Sequence, residues 1–298
     1  MRTIEPPPDI NVSKVIQKNI KTLVILIGNA RGGEETWQSM YKYLLDPFSA
    51  DLALLFGKNN NRSSSLYQRA KYLWELEEYK NWREYYEKNI TGCWYEIFKN
   101  HETSIEGLGG GVDNFKGSGA ILLAFRHFLK KNYKEELLKY NRIILTRSDY
   151  FYIDYHPVIP NDFFYIPEGE DYGGISDRHH VFPSNMIDQV LGVVEFLSSE
   201  SNYNYLTNVN KPLNFERLLF LFYKKNDVYK YIKRIKRVQF TVALNEDPTR
   251  ARKGRGYIFG SRNIQVKYHK EYYMALKNKY GLVIGLFLRL IFHFFKKN

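Results

Sequence analysis

The chain has a single cysteine, Cys93. One thiol excludes an internal disulfide framework and a zinc site built from cysteines. It fits a reducing compartment. The opening MRTIEPPPDINVSK has no apolar core of signal-peptide length, so the expected location is cytoplasmic. The most apolar stretch, Leu282–Phe295, is roughly 14 residues, short of the ~20 that span a bilayer. Internal repeats and long low-complexity linkers are missing as well. Gly28–Gly33 lacks the G-x-G-x-x-G spacing of a dinucleotide fingerprint. Gly107–Gly119 is not a P-loop, because Lys116 precedes Gly117 and no G-K-[ST] follows a strand.

The 298 residues suit one large or two small domains and can bury a sizeable core. The net charge is +12, and it is unevenly placed. From Lys224 onward there are 19 Lys/Arg against 4 Asp/Glu, leaving 25 of the 44 basic and 28 of the 32 acidic residues before it. The basic character therefore belongs to the last quarter, which should face phosphate, nucleic acid or a lipid surface.

A short apolar, β-branched run at Thr22–Ile27 predicts a buried strand, and the apolar stretches Ala50–Gly57 and Ile143–Thr146 predict two more. Between them, ETWQSMYKYLL predicts a helix. SLYQRAKYLWELEEY predicts another, with Leu66, Ala70, Leu73 and Leu76 at helical spacing. Ser118–Lys131 and Lys134–Tyr140 predict two more. The alternation argues α/β with a mixed, mainly parallel sheet flanked by helices. Further on, FYIDY, FFYIP and VQFTVAL predict strands. Ser184 and Asn214 are the expected N-caps of two later helices. The expected organisation is an N-terminal arm (1–20), one domain (21–280) and a C-terminal helix (281–298).

In open α/β sheets ligands sit beyond the carboxyl ends of the strands. Three polar clusters occupy such ends: Gly28-Asn29-Ala30-Arg31, Arg147-Ser148-Asp149, and the loop after Phe163–Pro167. Asn29 and Arg31 suit a nucleotide base or phosphate, or form an ordinary βα turn. A strand-end carboxylate such as Asp149 can hold Mg²⁺ or Mn²⁺, which in turn holds a diphosphate. The alternatives are a turn cap or a pair with Arg147. Arg147 itself suits phosphate. Arg250, Arg252, Lys253, Arg255 and Lys267 either clamp a diphosphate or form a solvated basic surface. His179 and His180 are neighbours on a strand and point to opposite faces, so they do not readily serve one ion. They, Asp154 and His156 read as packing or hydrogen-bonding groups, the alternative being a lone metal ligand beside Asp149.

TRSDYFYIDYHP followed by IPEGEDYGGISDRH resembles a group of poorly characterised GT-A-type glycosyltransferases of algae, plants and large algal viruses. LIGNARGGEETWQS, ADLALLFG, VALNEDPTR and VKYHKEYYMA are similar to the group's flanking segments, so the likeness covers most of Thr22–Ala275. It implies a GT-A-like (Rossmann-like) domain that moves a sugar from a nucleotide-diphosphate sugar to a glycan, protein or lipid-linked acceptor. Donor contacts are expected at Gly28, Asn29, Arg31, Arg147, Ser148, Asp149 and Lys267. Asp149 is also the expected ligand of a divalent metal, Mn²⁺ or Mg²⁺. The usual D-x-D has Arg147 at its first position here, so only Asp149 remains of it. The resemblance places Asp177 as the base, with Glu170 and Asp171 as further catalytic carboxylates; the alternative is an acidic surface loop with a buried structural contact between Asp177 and Arg178. It places Glu168, Tyr172, Gly173, Gly174 and Arg178 toward the acceptor. The alternative is a non-catalytic protein that engages nucleic acid through YKKNDVYKYIKRIKR, which also reads as a helix with a solvated basic face. It leaves Asp149 and the acidic loop unexplained, so nucleic acid is not an expected partner.

In the C-terminal segment Gly281, Gly285, Arg289, His293 and Lys297 recur every four residues, with Leu, Ile, Val and Phe on the other faces. That pattern suits a helix lying in a membrane interface, its basic flanks meeting anionic lipids, or a helix packed on the domain. Peripheral membrane association predicts flotation of the protein with anionic liposomes and loss of flotation when residues 281–298 are removed. Equal flotation of both forms would contradict it.

Overall fold

The computed structural model describes residues 20–58, 62–102, 107–210, 212–244, 261 and 263–281. The N-terminal arm, the basic loop from Arg250 to Arg255 and the apolar C-terminal helix expected from the sequence lie outside the described residues, apart from Ile20 and Gly281.

Seven strands of the described chain form the central sheet: β1 (Thr22–Gly28), β2 (Asp51–Gly57), β3 (Tyr72–Leu76), β4 (Arg142–Thr146), β6 (Phe164–Pro167), β7 (His180–Pro183) and β8 (Ile232–Ile235). Their order is β3-β2-β1-β4-β7-β6-β8. β1 to β4 are mutually parallel, β7 runs antiparallel between β4 and β6, and β8 is parallel to β6. The fold is therefore the mixed, mainly parallel α/β class expected. β5 (Tyr150–Tyr152) leaves the main sheet directly after β4. It pairs with β9 (Gln239–Leu244), which pairs in turn with β10 (Ile264–Val266).

The pleat sends alternate side chains to opposite faces, and both faces are covered. Leu23, Ile25, Ile143 and Leu145 share one core with Leu123 and Leu129 of helix α2 (Gly119–Leu137) and Leu218 and Phe222 of helix α3 (Phe215–Lys225). On the other face Val24, Leu26 and Ile144 pack with Trp37 and Met40 of helix α1 (Gly33–Met40). Helix α4 (His269–Tyr280) closes the small sheet through Tyr272 and Ala275 against Phe240 and Val266. Among the described residues no helix is long and apolar enough to cross a membrane.

Several elements differ from the sequence expectation. Ser65–Arg69 is helical, but Tyr72–Leu76 is strand β3, because Ala70 turns extended and Trp74 and Leu76 alternate inward. The expected pair of helices at 118–140 is the single helix α2. Ser184 opens a 3₁₀ turn without a side-chain cap, and Gly192 interrupts the helix beyond it. Asn214 does cap α3, its side-chain oxygen accepting from the Arg217 N–H at 2.9 Å. The basic stretch after Lys225 is a turn followed by strand β8, not a helix.

A row of buried imidazoles stitches β4 to β7. The Pro157 carbonyl can only accept, so His156 donates to it from Nδ1 at 3.0 Å. The bare His156 Nε2 then accepts from His179 Nε2 at 3.0 Å, and His179 Nδ1 accepts from the Thr146 hydroxyl at 2.9 Å. His180 points to the other face, where its Nε2 donates to the Ser176 carbonyl at 2.7 Å. Asp154 accepts the N–H of its own neighbour, Tyr155, at 2.9 Å.

Burial pushes His156 down to about 4 and holds His179 and His180 well below the ordinary histidine range; His156 and His180 further depress His179, and Arg126 further depresses His180. These groups are neutral when folded but titrate near 6.5 when unfolded. Their contribution to stability is complete above about pH 6.5 and is lost as pH falls towards about 4, by up to about 1.4 kcal/mol per pH unit for each histidine. Thermal unfolding followed from about pH 6.5 to about 5, above the carboxylate range, should show a steadily falling Tm. A flat Tm across that window would contradict the assigned neutral states.

Candidate active site

The chain builds β1, β2 and β3 outward in one direction and then returns to place β4 on the other side of β1. That reversal opens a crevice between the carboxyl ends of β1 and β4, the place where α/β sheets bind ligands. Gly28-Asn29-Ala30-Arg31 leaves β1 into it, and Arg147-Ser148-Asp149 leaves β4 into it. Ser148 ties the two together: its hydroxyl donates to the Asn29 carbonyl at 2.6 Å and accepts from the Arg31 N–H at 3.0 Å. Gly28 has φ 113°, and nothing stands within 4 Å of where a Cβ would be. It serves the turn and leaves that wall open.

The crevice has two compartments that share Arg31, Ser118, Leu122 and Arg147. The first, about 350 Å³, has walls of Ile27, Tyr79, Trp82, Ile121 and Phe125, with Glu78 and Asn29 as polar groups. The second, about 330 Å³, gathers Arg147, Arg178 and Lys267 with Asp177, Tyr172 and Tyr268. Ser118 and Gly119, at the N-terminus of α2, border the second compartment and add the positive end of a helix dipole.

Asp149 does not face the crevice as a free carboxylate. Arg147 donates to both of its oxygens, Nε to Oδ1 at 2.7 Å and Nη2 to Oδ2 at 2.8 Å. Lys267 Nζ stands 4.0 Å from Oδ2. Burial alone would raise the Asp149 pKa, but Arg147, then Lys267 and Arg31, outweigh it and hold it at about 2. Of the readings left open for Asp149, the pair with Arg147 is the contact formed.

Lys267 is 7% exposed at its side chain, and its ammonium has no hydrogen-bond acceptor among the described residues. Burial pushes it down to about 8, partly offset by Asp149 and reinforced by Arg147, Arg31 and Arg178. Asp177 is the complementary case. Its side chain is 9% exposed, the nearest cation, Arg178 Nε, is 4.0 Å away, and no described residue donates to its carboxylate. Arg126 instead holds the Asp177 backbone carbonyl at 2.9 Å.

Arg178 is fixed from behind. Its guanidinium lies against the rings of Tyr172 and Tyr268, 4.1 and 4.0 Å from their centroids, the two rings standing edge to face at 72°. Its Nη1 donates to the Tyr172 hydroxyl at 2.7 Å and to Glu271 Oε1 at 3.1 Å. Glu271 is fully buried, and its other oxygen accepts from the Thr241 N–H and hydroxyl at 2.9 and 2.8 Å. Burial works against the Arg178 charge, but Glu271 outweighs it and raises the pKa well above the ordinary arginine value.

The remaining loop residues lie elsewhere. Glu168 is exposed and offers its carbonyl to Arg237 Nε at 2.7 Å. Glu170 pairs with Lys270 at 2.8 Å in a separate surface hollow bordered by Met274 and Lys277. Asp171 is held by both Nη atoms of Arg234, at 2.8 and 2.7 Å. Gly173 and Gly174 are spacing residues: a Cβ on Gly174 would strike the Glu216 backbone of α3, and one on Gly173 would press on the Arg217 guanidinium. Of the expected catalytic and acceptor set, the structure brings Asp177, Tyr172 and Arg178 to the crevice. It does not bring Glu168, Glu170, Asp171, Gly173 or Gly174.

Sequence reasoning missed Tyr79, Trp82, Arg126, Tyr268 and Glu271. Tyr268 and Glu271 stand within the quoted VKYHKEYYMA, next to Lys267, and that proximity was the only signal for them. Among the described residues no group of three His, Cys, Asp or Glu side chains is arranged to hold a metal. No protein-family model matches the chain, and no curated protein matches it.

The geometry makes Asp149→Ala a stability variant as well as a site variant, because it strands Arg147 beside Lys267. Breaking a buried pair costs on the order of 3 kcal/mol. Urea unfolding should show that loss, and Asp149→Ala/Arg147→Met should recover part of it. An Asp149→Ala midpoint equal to that of the parent protein would show that the pair contributes nothing to folding.

Proposed function

We propose that this protein is a glycosyltransferase that moves a sugar from a nucleotide-diphosphate sugar to a hydroxyl of a glycan, protein or lipid-linked acceptor. The observation that carries the reading is the juxtaposition in one compartment of Asp177 and Lys267. Each is more than nine-tenths buried at its side chain, and neither is hydrogen-bonded by a described residue. Among the described residues each has only one opposite charge nearby, at 4.0 Å, Arg178 for Asp177 and Asp149 for Lys267, and both line the same compartment, so their hydrogen-bonding capacity is left for a ligand.

The two compartments divide the donor between them. The aromatic and aliphatic walls around Trp82 and Tyr79 suit the flat face of a nucleobase, and Glu78 and Asn29 offer polar contacts to base or ribose. The diphosphate lies towards Arg31, Arg147 and Lys267, where positive charge is densest. The sugar is then directed to Asp177 and Arg178. In the reaction the acceptor oxygen bonds to the anomeric carbon as the bond from that carbon to the diphosphate oxygen breaks. The acceptor proton passes to Asp177, and the bonding electrons leave with the diphosphate, whose growing charge the cations stabilise. Glu271 acts one step back, by fixing Arg178 against the two tyrosine rings.

The test is a thermal-shift screen of UDP-, GDP- and dTDP-sugars, followed by turnover with the stabilising donor. Asp177→Asn should keep the donor-induced shift and lower kcat by about 10²–10⁴-fold. Unchanged turnover in that variant would remove Asp177 from the chemistry. Stabilisation by oligonucleotides and by no donor would replace the reading with nucleic-acid binding.

A further inference from the structure

We propose that the donor's diphosphate is held by protein cations alone, Lys267, Arg147 and Arg31, with no divalent ion between, and that Asp149 is a positioning residue rather than a metal ligand. The inference rests on the glycosyltransferase reading for the identity of the ligand. It rests on the geometry of the second compartment for the manner of its binding.

The donor set does not fit a divalent cation. Such an ion takes one or two carboxylates with free oxygens alongside the substrate phosphates. Both oxygens of Asp149 already accept from Arg147, and its side chain is only 3% exposed. To use the remaining lone pairs of those oxygens an ion would have to stand beside both the Arg147 guanidinium and the Lys267 ammonium, itself 4.0 Å from Asp149. Like charges at that range in a buried site repel strongly.

The same residues fit an anion. Arg147 uses Nε and Nη2 on Asp149, and its Nη1 donates to no described residue. The side chain lines both compartments. Asp149 thereby fixes the plane of the guanidinium and turns its remaining edge outward, which suits the fork geometry of phosphate recognition. Lys267 enters from β10 and brings an ammonium that lacks an acceptor among the described residues. Arg31 borders both compartments from the end of β1, and its guanidinium likewise has no acceptor among the described residues. Among the described residues four cations line the second compartment, Arg31, Arg147, Arg178 and Lys267, against two carboxylates, Asp177 and Glu216, a positive surplus that suits an anion such as a diphosphate. The amide end of α2 at Ser118 and Gly119 faces the same space.

Isothermal titration in EDTA and in Mn²⁺ tests this, with inorganic pyrophosphate and with the stabilising nucleotide sugar as separate probes. Pyrophosphate should bind in EDTA, and Mn²⁺ should change its Kd by less than about threefold. Lys267→Met should weaken binding by at least about tenfold, and Arg31→Gln should weaken it in the same direction. Binding of either probe only when Mn²⁺ is present would overturn the metal-free clamp and leave the glycosyltransferase reading standing. Metal-free binding of pyrophosphate without binding of any nucleotide sugar would do the reverse. Unchanged pyrophosphate affinity in folded Lys267→Met and in Arg31→Gln would also overturn the clamp.

Discussion

The bidentate contact between Arg147 and Asp149 is the constraint around which the crevice is organised. It sits where the chain leaves the main sheet at the end of β4 and crosses to the small sheet through β5. Without a carboxylate there, Arg147 would lose both of its acceptors and Lys267 its nearest opposite charge. With it, the cations are held in place and still outnumber the negative charge. A surplus of fixed positive charge in a partly desolvated cleft is a preorganised receptor for an anion, because its dipoles and charges need not reorganise when the ligand arrives.

The second organising feature is the burial of Glu271. It anchors Arg178 from α4 and Thr241 from β9, so the small sheet and its helix form the back wall of the second compartment. Arg178 occupies the faces of Tyr172 and Tyr268, which makes those rings a clamp for a cation rather than a platform for a sugar. Asp177, one residue earlier in the chain, is left to face the cleft. The loop from Glu168 to Arg178 thus splits its carboxylates by role: Glu170 and Asp171 hold the loop to Lys270 and Arg234, and Asp177 lines the second compartment with Arg178 4.0 Å away.

Much of this was legible in the chain itself. β1, β2 and β4 are continuous apolar runs because both faces of the sheet are covered, and such runs read clearly. Polar residues directly after them had to lie at strand ends, which located Arg31, Arg147, Asp149 and the crevice. β3 was misread because Leu66, Ala70, Leu73 and Leu76 fall by coincidence at helical spacing, while the deciding period-two burial of Trp74 and Leu76 spans only five residues. Spacing also could not say whether Asp149 would face a ligand or Arg147. Both leave the same sequence, and the outcome depends on the side-chain torsions at a strand end. The separation of Glu170 and Asp171 from Asp177 depended on Lys270 and Arg234, which are distant in sequence and became visible only once α4 and β8 were placed.

The central claim is that one ligand spans both compartments, with its diphosphate at Lys267 and its sugar at Asp177. A crystal structure of the protein with a bound nucleotide-diphosphate sugar tests it most directly. The account predicts phosphate oxygens within hydrogen-bond distance of Lys267 Nζ and Arg147 Nη1, the base beside Trp82, and the anomeric carbon facing Asp177. A nucleotide bound elsewhere, or bound here with its phosphates turned away from Lys267, would contradict it.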